Sequence, residues 1–137
     1  MKFMLMLQGT QADYDAMSGN GSPGSPVWTK EDLEGMFQFM QTLNEDLAAS
    51  GELTEGHGLT EPSQAGLVYA GDGGRPVLSD DPYGVDREVL VGFWVLDCKN
   101  FERATEIAAR IQGCPVPEGS TNYAVIVRPV QEEPPAS

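Results

Sequence analysis

The chain alternates between unbroken apolar runs and segments whose apolar residues recur every three or four positions. Residues 2–7 place Phe3-Met4-Leu5-Met6-Leu7 behind a single lysine, the pattern of a central strand buried on both faces. Val89-Leu90-Val91-Gly92-Phe93-Trp94-Val95-Leu96 has the same character and predicts the strongest strand of the chain. Between them, Thr29 suits an N-cap, with Glu31 and Asp32 at the positive end of the helix that follows. Leu33, Met36, Phe37, Met40, Leu43 and Leu47 then trace one apolar stripe that reads as core, and Gly51 supplies a left-handed stop. Asn100 caps a second helix over 101–112, whose core face is Phe101, Ala104, Ile107, Ala108 and Ile111; Gly113-Cys114-Pro115 ends it. A weak strand is expected over 52–59. Leu67-Val68-Tyr69 and Pro76-Val77-Leu78 flank Gly71-Asp72-Gly73-Gly74 as a hairpin. A last strand spans 123–130, and Pro129, which lacks an N–H donor, suits an edge position.

The order is β-α-β, a hairpin, then β-α-β. It predicts an α+β fold, a ferredoxin-like sandwich with one antiparallel sheet and two helices on one face. One domain covers 1–130. Residues 9–27, rich in Gly, Ser and Pro, read as one long loop with disorder expected across 18–26. Residues 131–137 read as a disordered acidic tail. Each helix carries a single apolar stripe, whereas the central strands are apolar on both faces. One sheet face therefore needs another cover, and a second copy of the chain supplies it, so a homodimer is expected.

Charge then narrows the partners. The chain has 137 residues with 8 Lys+Arg against 21 Asp+Glu, a formal net charge of −13. Such a surface lacks the cations that bind phosphate backbones or anionic lipid, which excludes nucleic acid and membrane as partners. No apolar run approaches the ~20 residues a bilayer requires, and the N-terminal apolar stretch is too short for a signal peptide. A cytoplasmic protein is expected. Cys98 and Cys114 flank the second helix, whose ends lie ~15–18 Å apart at 1.5 Å per residue. A disulfide needs Cα atoms within ~7 Å, so free thiols are expected.

Segment 79–88 gathers Asp80, Asp81, Tyr83, Asp86, Arg87 and Glu88. Asp81-Pro82 reads first as a turn. Two neighbouring carboxylates also form an acid/base pair where their environments separate their pKa values, although adjacent side chains in extended backbone point to opposite faces. His57, between Gly56 and Gly58, is the one histidine and a general-base candidate. Trp94 suits the core, a dimer interface or an apolar pocket wall. The ligand-binding candidates are thus His57, Asp80, Asp81, Tyr83, Arg87 and Trp94, with His57 and Asp80 the candidates for catalysis. No metal site is expected. One histidine and two separated cysteines cannot supply a zinc tetrad, and the calcium-loop-like start at Asp13 places Met17 where a ligand belongs. No cofactor is implied.

Several segments together resemble the DGPF group of the YCII-related family. They are Met1-Lys2-Phe3-Met4-Leu5-Met6-Leu7, Leu43-Asn44-Glu45-Asp46-Leu47-Ala48-Ala49-Ser50-Gly51 and Gly56-His57-Gly58-Leu59. Ser79-Asp80-Asp81-Pro82-Tyr83, Val91-Gly92-Phe93-Trp94-Val95-Leu96-Asp97 and Val127-Arg128-Pro129-Val130 complete the set. The resemblance implies a ferredoxin-like fold that dimerises through its sheets into an α/β barrel. It also implies a functional association with an extracytoplasmic-function sigma factor. Some YCII-related proteins resemble small enzymes with a His–Asp pair, one branch acting on chlorinated hydroxyquinones. Here Asp81 and Tyr83 stand where the group has Gly and Phe, and 28–32 holds no histidine at the start of the helix. The dyad is therefore not carried over. Two functions follow from this reading: a dimeric module that binds a small ligand or serves a regulatory or accessory role, or a small acid/base enzyme on a hydroxylated aromatic.

Overall fold

In a computed structural model, residues 1–79, 83–84 and 86–132 are described. The chain runs β1 (Lys2–Gly9), α1 (Gln11–Met17), α2 (Lys30–Ala49), β2 (Leu53–Gly58), β3 (Leu67–Ala70), β4 (Pro76–Ser79), β5 (Val89–Asp97), α3 (Phe101–Gln112) and β6 (Ile126–Pro129). Four strands form one sheet in the order β2-β5-β1-β6, antiparallel at every pairing. This α+β arrangement is compatible with a ferredoxin-like fold. The two strands with unbroken apolar runs occupy the centre, and β6 with its Pro129 lies at an edge. Among the described residues β3 and β4 pair with each other alone, as a separate hairpin.

The helix starts follow from their caps. Thr29 accepts from the Asp32 backbone N–H and Asp32 accepts from that of Thr29, a reciprocal capping box. Asn100 accepts from Arg103 N–H at the start of α3. Gly51, at φ 79°, closes α2.

Residues 9–27 are not one loop. Thr10 and Asp13 form a second capping box, identical in pattern to that of Thr29 and Asp32, and it starts α1. Seven residues are too few for an apolar period to show, so the cap was the only local sign of this helix. Within 18–26, Ser22 and Ser25 exchange backbone hydrogen bonds across a tight turn, and Ser25 is buried.

The core lies between one sheet face and the two long helices. Phe3, Leu5, Trp94 and Leu96 point into it from the sheet, Leu43 and Leu47 from α2, and Ala104, Ile107, Ala108 and Ile111 from α3. The α2 stripe does not enter this core along its whole length. Leu43 is 0% and Leu47 2% exposed, but Phe37 is 62% exposed and Leu33, Met36 and Met40 are only half-buried. The N-terminal half of α2 therefore stands off the sheet. Phe101, expected in the core of α3, is half exposed and meets the Phe3 ring edge-on, centroids 6.0 Å apart.

Met4, Met6, Phe93 and Val95, alternating with the core residues, lie on the opposite sheet face and are half-buried there. The hairpin sets Val68 beside Leu78 and Tyr69 beside Val77, with all four side chains exposed. The start of β2 is strapped to α3 by an ion pair. Both Glu52 carboxylate oxygens accept from Arg103, at 2.9 Å each, and one also accepts from Ser50 Oγ. These bonds, led by Arg103, hold the Glu52 carboxyl down at about 2.

Two stability predictions follow from this packing. Leu43→Ala leaves a cavity and is expected to cost about 2–5 kcal/mol in urea unfolding, against about 0.5 kcal/mol or less for Phe37→Ala. Equal losses would place Phe37 in the core. For Glu52, a depressed folded-state pKa means stabilisation that is complete above about 4.5 and fades as the pH falls toward about 2. Glu52→Gln is expected to lower stability at pH 7 and to flatten that acid limb in pH-dependent unfolding.

Candidate functional site

Where α2 stands off the sheet, it encloses a cavity of about 640 Å³. Leu33, Met36, Phe37 and Met40 form its roof, Leu7, Gly56, Gly92 and Trp94 its floor, and Tyr14, Trp28 and the 120–125 segment its ends. The floor is open because two of its positions lack side chains. A Cβ at Gly92 would lie 3.2 Å from the His57 carbonyl oxygen, and one at Gly56 would lie 2.9 Å from Trp94 Cδ1. Glycine at 56 lets the indole lie against β2. The indole Nε1–H donates to Asn44 Oδ1 at 2.8 Å, one residue beyond the buried Leu43. The bond thus joins sheet and helix where α2 changes from packed to lifted.

One end of this apolar cavity is polar. Asp13 Oδ1 accepts from Ser25 Oγ at 2.7 Å, and Asp13 Oδ2 accepts from Tyr123 OH at 2.6 Å and from the Thr10 N–H at 3.0 Å. Burial, and then the bond to Asp13, push the Tyr123 phenol up to about 12. Tyr14 OH donates to the Leu59 carbonyl at 2.8 Å. Burial, then the negative charge of Glu61, raises its pKa as well. The arrangement offers a large apolar surface with a few convergent polar groups, the usual make-up of a small-molecule site. Among the described residues no cluster of three or more His, Cys, Asp or Glu side chains is placed to hold a metal ion. No described helix is long and apolar enough to cross a membrane.

The residues singled out from the sequence fall in different places. Trp94 lies on the cavity floor, 6% exposed. His57 borders the cavity with its backbone, but its ring lies on the opposite sheet face, 5.5 Å from the Phe93 ring, and Nε2 meets Glu55 at 3.0 Å. Tyr83 and Arg87 meet each other, with the guanidinium carbon 5.8 Å from the ring centroid, and neither lines the cavity. Asp80 and Asp81 lie outside the described residues. Asp13, which the sequence presents only as an incomplete calcium-loop start, lines the cavity together with Tyr123, Asn44, Tyr14 and Trp28, none of which the sequence marks as site residues. Only Asp13 carried a local signal, its place three residues after Thr10. Its partner Tyr123 is 110 positions away.

The family model for the YCII-related domain matches residues 1–130. The chain belongs to the YCII-related family. It is also similar to an uncharacterized protein of Rhizobium meliloti (strain 1021), 22% identical over 107 residues, which span 78% of this chain and 86% of that protein.

One thiol reports on the site of this YCII-related domain. Cys114 lines the cavity, and burial pushes its pKa up to about 11. Thiolate is the reactive form, so iodoacetamide labelling of Cys114 is expected to be slow at pH 7 and to rise about tenfold per pH unit between pH 8 and 10. Rapid labelling at pH 7, followed by peptide mass spectrometry, would show the cavity wall to be open to water.

Proposed function

We propose that this YCII-related domain is a homodimeric module that binds a small, largely apolar molecule and serves a regulatory or accessory role. The observation that carries the reading is the cavity beneath the lifted half of α2, whose volume falls within the ~300–1,000 Å³ typical of ligand sites. The dimer is supported by the apolar sheet face of Met4, Met6, Phe93 and Val95, which no described helix of the same chain covers and which is only half-buried. The hairpin, apolar on both sides, adds surface for the same partner copy. Assignment to the DGPF group, with its implied sigma-factor association and an intracellular setting, belongs to this proposal and rests on the motif resemblance.

A second reading, acid/base chemistry on a hydroxylated aromatic, draws on one observation, the 2.6 Å bond between Tyr123 and Asp13 at the cavity end. A phenol held near 12 stays protonated at neutral pH and offers a donor rather than a base. Binding is therefore the better-supported reading.

The neutral dye N-phenyl-1-naphthylamine tests it. Its emission is expected to rise saturably with the wild-type protein, and Met36→Trp, which fills the cavity from the half-exposed roof, is expected to weaken binding at least tenfold. Unaltered affinity in that folded variant would put the dye elsewhere. For the dimer, sedimentation equilibrium at tens of micromolar is expected to show two copies, and Met6→Glu on the bare sheet face to show one. A monomeric wild type rejects the dimer.

A further inference from the structure

We propose that the cavity selects organic cations, molecules with an ammonium group on an apolar body of about aromatic size, and that Asp13 is their countercharge. This rests on the binding role proposed above and narrows the class of ligand. Among the described residues lining the cavity, Asp13 is the one acid, and neither lysine nor arginine is present. His57, at its border, turns its ring to the far sheet face, against Glu55.

Among the described residues the carboxylate of Asp13 is held by neutral donors, the hydroxyls of Ser25 and Tyr123 and the Thr10 N–H. Those bonds orient the group without cancelling its charge. A carboxylate has about four lone-pair sites, so three donors leave room for one more. Two further negative charges act at this end of the cavity, Glu88 through space on Tyr123 and Glu61 on Tyr14. Asp13 is only partly exposed, and no ion pair reaches it among the described residues. The whole chain carries −13, which draws cations toward the site and repels anions.

The apolar part of the cavity suits such a ligand as well. Tyr14, Trp28, Phe37 and Trp94 present aromatic rings along its walls, and a ring face attracts a positive charge while accepting an apolar body. A ligand carboxylate would find Asp13 at the polar end and no cation to offset its own desolvation. A neutral alcohol would keep the apolar contacts and lose the charge pairing.

The test uses three ligands sharing one skeleton, 2-(aminomethyl)naphthalene, 2-(hydroxymethyl)naphthalene and 2-naphthoate, titrated calorimetrically into the full chain at 50 and 500 mM salt. The amine is expected to bind at least tenfold more tightly than the alcohol, and naphthoate most weakly, with the amine's advantage shrinking at high salt. Asp13→Asn, which keeps a side-chain oxygen for the α1 cap, is expected to remove that advantage while the alcohol still binds. Equal affinities, or tightest binding of naphthoate, overturn the charge selection and leave the cavity a binding site. Binding of none of the three overturns the binding role together with the selection. Should the variant fail to fold, the order of the three affinities and their salt dependence in the wild type still decide.

Discussion

Helix α2 is fastened to the sheet at one end only, and the arrangement of the site depends on that. Leu43 and Leu47 are fully engaged in the core, while Met40 and Met36, one and two turns earlier on the same stripe, are only half-buried. Seating a large apolar side chain fully yields about 1.5–3 kcal/mol, so a lifted half-helix forgoes stabilisation. Two features hold it there. The Trp94 indole, bonded to Asn44, stands between floor and roof at the point of divergence, and the 120–125 segment with Tyr14 and Trp28 fills the ends of the gap. A fold that leaves apolar surface unburied in one place has usually traded stability for a site.

Asp13 links the local and the global parts of this arrangement. Through Oδ2 it closes the capping box that starts α1 and accepts the Tyr123 hydroxyl; through Oδ1 it ties down the turn at Ser25. One side chain thereby orders a helix start, a turn within a Gly- and Ser-rich segment, and the approach to the last strand. Its charge remains at the mouth of an apolar cavity because every one of these donors is neutral. The same group can serve the fold through its geometry and a ligand through its charge.

The sheet distributes its two faces differently. Phe3, Leu5, Trp94 and Leu96 are covered by helices, whereas Met4, Met6, Phe93 and Val95 on the reverse are only half-buried. His57 and Glu55 sit toward the β2 edge of that bare face and pair with each other there. A polar pair at its border limits indiscriminate strand addition at that edge. The hairpin is in a similar position, since two isolated strands are marginal in water unless something packs on them.

The reach of each kind of information explains what was legible. Element types followed from local order: an apolar run makes a central strand, a three-and-four stripe makes a helix, and Thr29 and Asn100 mark starts because a cap needs only its next three residues. Those features determined β1, β5, α2, α3 and the hairpin, and their sequence order implied the antiparallel topology. Helix α1 escaped because its seven residues span barely two turns. A stripe reveals which side of a helix is apolar but not how far its axis stands from the sheet, so the cavity at Met36 and Met40 was read as core. Strand alternation placed His57 and Trp94 on opposite faces only once the register of β2 against β5 was known. The union of Asp13 with Tyr123 had no sequence signal, because it depends on where two segments 110 residues apart are carried by the sheet between them.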